Sequence, residues 1–226
     1  MTITAPPLSN VAVLTPGVYH PQDDSRLLID AVEQHVVLEG RTVLDLCTGT
    51  GVVAIAAARL GAASVTAWDI CPQAVHCSRT NAAAAGVTVE VVLGSWAVAV
   101  GRGRFDVVLA NPPYVPVSPG LPPVDGPAQA WDAGHDGRLV IDPLCAAAPQ
   151  LLTDGGTLFL VQSEFTGVDQ SLAALTAAGL RASVVARQRI PFGPVLTSRS
   201  EWLERTGRTT IGCREEELTV IRADKR

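Results

Sequence analysis

Nothing in the 226 residues stays apolar long enough to cross a bilayer. The longest such runs reach roughly ten residues before a glycine, a proline or a polar side chain intervenes, against about twenty for a membrane helix. Paired cysteines are also lacking. Cys47, Cys71, Cys77, Cys145 and Cys213 are odd in number and contain no CxxC, and no charged-then-apolar leader opens the chain, so neither a disulfide framework nor export is expected. The expectation is a reduced, cytoplasmic protein with no membrane contact. His20, His35, His76 and His135 form no HxxxH or Cys–His ligand pair. They read as polar surface or loop residues rather than as a metal site. Internal repeats, low-complexity tracts and flexible inter-domain tethers are missing too, which leaves one domain as the simplest organisation.

What is present is core material and an uneven charge. With 47% apolar residues the chain can bury the core of one α/β domain. The net charge is −5, but residues 1–180 carry 7 Arg against 16 Asp and Glu, whereas residues 181–226 carry 9 Arg and 1 Lys against 6. An acidic body disfavours broad nucleic-acid binding, whose affinity comes from phosphate neutralisation and counterion release. The basic tail reads either as a solvated face that balances the body or as a local patch.

Apolar, β-branched runs at Thr42–Leu46, Ser64–Trp68, Val87–Leu93, Phe105–Ala110 and Thr157–Val161 predict strands. Segments rich in alanine and leucine alternate with them and predict helices over Val52–Leu60, Pro72–Ala85, Pro143–Leu152 and Val168–Ala178, with Pro72 in a first turn. Such alternation gives a parallel sheet covered on both faces. Ser183–Arg189 and Glu217–Arg222 predict two more strands, and Pro191–Glu216 between them is an insert with a short helix at Arg199–Arg205. An N-terminal segment, residues 1–40, precedes the first strand and carries a helix over Arg26–His35, capped by Asp24 or Ser25. Residues 112–127 hold seven prolines and read as a stiff loop.

Val43-Leu44-Asp45-Leu46-Cys47-Thr48-Gly49-Thr50-Gly51 runs a strand into a glycine turn and then a helix, which brings bare backbone close to a ligand at the helix N-terminus. Gly49 to Ala54 matches the GxGxxA pattern of dinucleotide sites, and Asp69 ends the next strand, where an acid receives ribose hydroxyls. Asp45 leans the other way. A carboxylate at that strand end repels a pyrophosphate but attracts the cationic amino-acid end of S-adenosylmethionine. Both cofactors remain open on this motif alone.

The strand Phe105–Ala110 ends in Asn111-Pro112-Pro113-Tyr114. By average composition this NPPY would arise by chance in about one chain of this length per thousand. It resembles motif IV of the amino methyltransferases, class I enzymes that methylate a nitrogen conjugated to a planar system. Thr15 to Ser25, Trp131 to Arg138, Val161-Gln162-Ser163 and Glu217 to Arg222 are similar to HemK/PrmC-related methyltransferases, in the short branch without the N-terminal helical domain. The resemblance covers residues 15–165 well and the tail in part. It departs at Cys47, where the family has a glycine, at Gly94-Ser95-Trp96, where relatives often carry an acid, and in the 191–216 insert.

This resemblance implies a single Rossmann-like domain over 1–226, with a mostly parallel seven-stranded sheet, helices on both faces and an antiparallel C-terminal strand. It implies S-adenosylmethionine as donor, S-adenosylhomocysteine as product, and a protein glutamine as acceptor. The remaining acceptor classes are a nucleic-acid exocyclic amine, which the acidic body disfavours, and a small-molecule amine or amide. Rivals of another class are an NAD-dependent oxidoreductase and a cofactor-free binding module. Whether an activator subunit takes part is open. Asp45, Cys47, Thr48, Gly49, Gly51, Asp69, Ile70, Ser95, Trp96 and Asn111 are the expected donor contacts, with Trp96 readable equally as packing. An amide nitrogen is a poor nucleophile, so Asn111 Oδ1 and the Pro112 carbonyl are expected to accept its two N–H groups while Tyr114 stacks on its plane. Pro113 stiffens the turn, and Asp23 is expected to line the acceptor side.

Overall fold

The computed structural model describes residue 15, residues 17–118 and residues 130–226. Seven strands form one sheet in the order β3-β2-β1-β4-β5-β7-β6. They are β1 Thr42–Leu46, β2 Ser64–Asp69, β3 Glu90–Leu93, β4 Phe105–Ala110, β5 Leu152–Ser163, β6 Arg181–Pro191 and β7 Glu215–Asp224. Six helices, α1 Asp23–His35, α2 Val52–Arg59, α3 Pro72–Ala85, α4 Ile141–Leu151, α5 Val168–Ala177 and α6 Pro194–Arg205, complete the element order. β1 through β5 pair in parallel, and β7 alone runs against both its neighbours. The seven-stranded, mostly parallel sheet expected from the sequence is therefore present, with its antiparallel strand slotted between β5 and β6.

The central strands are near-continuous apolar runs because both of their faces are covered. Leu44, Val108, Leu158 and Leu160 have no solvent exposure. Helices α1, α2 and α3 pack together, as do α4 and α5. The chain winds outward from β1 to β3 and then returns to the other side through β4, so the winding reverses between β1 and β4. There Leu46 stands beside Ala110, and the carboxyl ends of two adjacent strands open a crevice, the usual ligand site of such sheets.

Several boundaries move from their sequence expectation. Helix α1 begins at Asp23, not Arg26, and its N-cap Gln22 makes no side-chain cap bond. Asp24 and Ser25, expected as caps, sit buried within the first turn. The carboxylate of Asp24 is taken instead by two tyrosines, Tyr19 five positions before it and Tyr114 ninety positions after it. Strand β5 is longer at both ends than Thr157–Val161, because β7 pairs with it from Thr157 to Ser163 and a bulged register reaches back to Leu152. Helix α4 starts two residues before Pro143 and tolerates Pro149 near its end. The ammonium of Lys225 donates to the Pro149 and Leu152 carbonyls at 2.9 Å each, which satisfies acceptors at the end of the helix, where no following turn supplies an N–H. Helix α6 spans Pro194–Arg205 rather than Arg199–Arg205, so the insert between β6 and β7 runs over residues 192–214. Of the proline-rich loop, Pro112, Pro113 and Pro116 are described, while residues 119–129 lie outside the described residues, as do 1–14 and 16.

Candidate functional site

A cavity of about 680 Å³ opens at the carboxyl ends of β1, β2 and β4, within the usual range of cofactor and small-molecule sites. Its floor is the turn from β1 into α2. Cys47 has φ 59°, the one left-handed non-glycine residue among those described, followed by Gly49 at φ 56° and Gly51 at φ 84°. The two glycines do different jobs. A Cβ on Gly49 would meet nothing nearer than the Tyr19 carbonyl at 3.9 Å, so its bare backbone leaves room at the cavity. A Cβ on Gly51 would lie 2.4 Å from the Ser78 hydroxyl, so this glycine lets α2 and α3 close together.

One buried and one half-buried carboxylate face this floor. Asp45 is 1% exposed, and burial pushes its pKa up to about 7. The Thr48 hydroxyl, donating at 2.5 Å, and the Ala54 N–H work against that rise, while the like charge of Asp69 adds to it. Asp69 accepts from the Gly49 N–H and the Cys71 N–H, each at 2.9 Å. Those bonds fix its carboxylate at the end of β2 and oppose the rise in pKa that burial imposes. The Cys47 thiol is pushed up by burial and by both acids, so it stays protonated.

Further along the wall, Gly94 holds φ 157° against the Trp68 ring and donates its N–H to the Asp69 carbonyl. Ser95 caps the short 3-10 turn Trp96–Val98. Its hydroxyl accepts from the Ala97 N–H at 3.4 Å, so part of its acceptor capacity is used within the chain. Trp96 lines the cavity and also packs on the core, and Ile70 lines it while 64% exposed.

At the end of β4, Asn111 and Pro113 lie on the cavity wall. The Asn111 Nδ2 donates to the Ser25 hydroxyl at 3.3 Å, and that hydroxyl donates to Asp24 Oδ1 at 3.3 Å. Asp24 Oδ2 accepts from Tyr19 at 2.9 Å and from Tyr114 at 3.1 Å. Burial and the adjacent acids Asp24 and Glu216 raise both phenols far above their ordinary values, so both remain donors. One buried acid thus ties α1, the entry segment and the NPPY turn together. The bond to Ser25 takes one of the two N–H groups of the Asn111 amide and leaves its oxygen free to accept from a ligand.

The structure brings Asp45, Cys47, Thr48, Gly49, Asp69, Ile70, Ser95, Trp96, Asn111 and Pro113 onto one cavity, with Gly51 just behind it. Pro112, Tyr114 and Asp23 are not on its wall. Pro112 is buried, Asp23 is exposed, and Tyr114 is 9% exposed with its hydroxyl bound to Asp24 rather than presented to an acceptor. Tyr19, Ser25, Trp68 and Asp132 line the cavity without having been singled out as site residues in the sequence. His135, read as an ordinary loop histidine, lines it too. Tyr19, Ser25, Asp132 and His135 lie in the segments that resemble the family, but their place on the cavity depends on contacts such as that of Tyr114 with Asp24, 90 positions apart, which form only in the folded chain.

No helix among the described residues is long and apolar enough to cross a membrane. A crevice at the winding reversal, floored by a glycine turn between two carboxylates and edged by an NPPY turn, defines a class I S-adenosylmethionine-dependent methyltransferase. Comparison with known proteins narrows the class. The family model for ribosomal protein L11 methyltransferase (PrmA) matches residues 23–112. A Methanocaldococcus jannaschii protein that carries the name protein N5-glutamine methyltransferase is 34% identical over 179 residues, covering 79% of this chain and 89% of that one. The release factor glutamine methyltransferase of Mycolicibacterium smegmatis is 33% identical, and this chain's match spans 66% of that longer protein. Among solved structures, E. cuniculi Mtq2, in its complex with Trm112 that methylates the translation termination factor eRF1, matches with a TM-score of 0.64 at 25% identity. That match covers 93% of this chain and 99% of Mtq2. The chain belongs to the protein N5-glutamine methyltransferase family, the HemK-related enzymes.

Proposed function

We propose that the protein transfers the methyl group of S-adenosylmethionine to the side-chain amide nitrogen of a glutamine in a protein, the acceptors named for its relatives being translation release factors. The observation that carries this reading is Asn111 on the cavity wall at the end of β4, with one N–H of its amide held by the Ser25 hydroxyl and its oxygen free to accept.

The chemistry of the donor site fits the cofactor. Asp45 and Asp69 place two carboxylates in a largely apolar cavity, where a ligand that brings a cation restores the charge balance and one that brings a pyrophosphate does not. Asp45 would receive the ammonium of the amino-acid end, and Asp69 would accept from ribose hydroxyls. Gly49 leaves its side of the turn open for close approach. Bound there, the donor supplies an electrophilic methyl group on a sulfonium that leaves as a neutral thioether.

The rest falls to the acceptor side. The lone pair of an amide nitrogen is delocalised over the carbonyl and attacks slowly in water. Asn111 Oδ1 accepts one N–H of the substrate amide, which turns the nitrogen toward the donor and stabilises the positive charge it gains as the N–C bond forms. Pro112 and Pro113 stiffen this turn, and Tyr114 and Tyr19, both bound to Asp24, hold it against α1. As the methyl group arrives, the nitrogen loses one proton to water, so no side chain need act as a nucleophile or a strong base.

The test is transfer of radiolabelled methyl groups to a purified release factor, followed by mapping of the modified side chain by mass spectrometry. Label on a glutamine supports the proposal. Label that enters only nucleic acid or small molecules from a fractionated lysate would replace it with one of the other acceptor classes.

A further inference from the structure

β6 and β7 are antiparallel neighbours, which a two-residue turn could join, yet residues 192–214 intervene and fold into α6 with flanking loops. The insert buries Leu196, Trp202 and Leu203. Its polar contacts converge on one target. The Arg199 guanidinium donates to the Pro116 carbonyl at 2.8 Å and pairs with the Asp132 carboxylate. Arg208 lies over the Trp202 ring, 5.3 Å from its centroid, and donates to the His135 carbonyl at 3.0 Å.

Pro116 and Asp132 belong to two arms of chain, residues 115–118 and 130–135, that follow the NPPY turn. The arms pair through backbone bonds from the Val115 N–H to the Trp131 carbonyl, the Ala133 N–H to the Val115 carbonyl and the Val117 N–H to the Gly134 carbonyl. Val117, Asp132 and His135 line the cavity. Arg199 is the one described side chain that bonds both arms at once, and it does so from behind the wall. An exposed ion pair would contribute little, but the Asp132 side chain is 6% exposed and that of Arg199 18%. Removing the arginine would leave a sheltered carboxylate unpaired on the cavity wall, beside a carbonyl that has lost its donor.

We propose that Arg199 is a positioning residue for the methyl acceptor: by gripping the Pro116 carbonyl and the Asp132 carboxylate together, it holds the wall on which the substrate glutamine docks beside Asn111. The donor site is built on β1 and β2 and does not depend on this grip. The proposal rests on the acceptor reading given above, and its test separates the two.

Three versions of the full chain are compared: wild type, Arg199→Ala and Arg199→Lys. In Arg199→Ala, hydrogen exchange at the amides of Val115, Val117 and Ala133 should quicken by about tenfold or more, the loss of one to two hydrogen bonds' worth of protection. The dissociation constant for S-adenosylhomocysteine should stay within about twofold, and KM for the acceptor should rise about tenfold with a smaller fall in kcat. Arg199→Lys, which can reach one partner but not both in the planar fork, should recover part of the acceptor KM. The acceptor is whichever substrate the wild type labels, release factor first. A wild type that labels something other than a glutamine removes the substrate reading but leaves the exchange and KM measurements to judge Arg199. Unchanged exchange at the three amides, an unchanged acceptor KM, or an equal loss of donor affinity would each overturn the proposal.

Discussion

Acidification should strip the methyl donor from this enzyme through one residue. Asp45 is 1% exposed, and burial pushes its pKa up to about 7. A donor that presents an ammonium binds the ionised form. Because the folded-state value is raised, the ionised fraction grows as pH rises and falls about tenfold for each pH unit below about 7. At about pH 5 roughly one free molecule in a hundred carries the charge, so the dissociation constant for S-adenosylhomocysteine should rise about a hundredfold from pH 8, near 2.7 kcal/mol. Calorimetry near pH 6 in buffers of different ionisation enthalpy should also detect a proton released on binding. In Asp45→Asn the slope should flatten to whatever the raised carboxyl of Asp69 contributes, and affinity should be weak throughout. The same linkage acts on stability with the opposite consequence. A carboxyl with a raised folded-state pKa contributes its stability below its unfolded value, near 3.9, and loses it as pH rises through about 7. Asp45→Asn still accepts from Thr48, so it should melt higher than the free wild type at pH 8 while binding donor less well. An affinity flat between pH 8 and 5, or an equal slope in Asp45→Asn, would refute the argument.

Asn111→Ala should reduce single-turnover methyl transfer by about 10²–10³ with donor affinity nearly unchanged, since the main loss is one preorganised polar contact to the acceptor while Asp45 and Asp69 still hold the donor. Ser25→Ala, which releases the Asn111 amide without removing it, should lower the rate by only about tenfold in the same assay. Cys47→Gly relieves a left-handed residue at φ 59° and should raise stability to denaturant by about 1 kcal/mol, with donor binding intact; abolished binding in a folded variant would give the thiol a role of its own. Gly51→Ala places a methyl group 2.4 Å from the Ser78 hydroxyl at φ 84° and should cost at least about 2 kcal/mol in thermal unfolding, with donor affinity falling as α2 and α3 part.

Much of the fold could be read from the chain alone. The apolar runs of β1, β2 and β4 carry Asp45, Asp69 and Asn111 at or next to their carboxyl ends, and a parallel sheet places every such ending on one edge. The glycine turn after β1 and the two prolines after β4 are local devices, legible because backbone conformation depends on the residue itself. Cys47 in a glycine's position was legible as a departure, and its left-handed backbone accounts for why a glycine would suit that place.

Tertiary structure decided what the local pattern could not. In sequence, Asp24 and Ser25 are ordinary helix-capping residues. In the fold, Tyr19 and Tyr114 converge on Asp24 across 5 and 90 positions, which draws both residues into the first turn of α1 and aims the Asn111 amide. The length of β5 was hidden in the same way, because its end is specified by β7 more than fifty residues later and its start by a bulged register with β4 about fifty residues earlier. Arg199 read as part of a short helix and a basic tail, and its partners Pro116 and Asp132 lie 83 and 67 positions away. Hydrophobic period and turn chemistry act within a few residues, so the sequence by itself determined the strands, their order of appearance and the acids at their ends. Buried polar groups find partners only when distant segments pack, and only that packing determined how Asn111 is oriented and what holds the wall beside it.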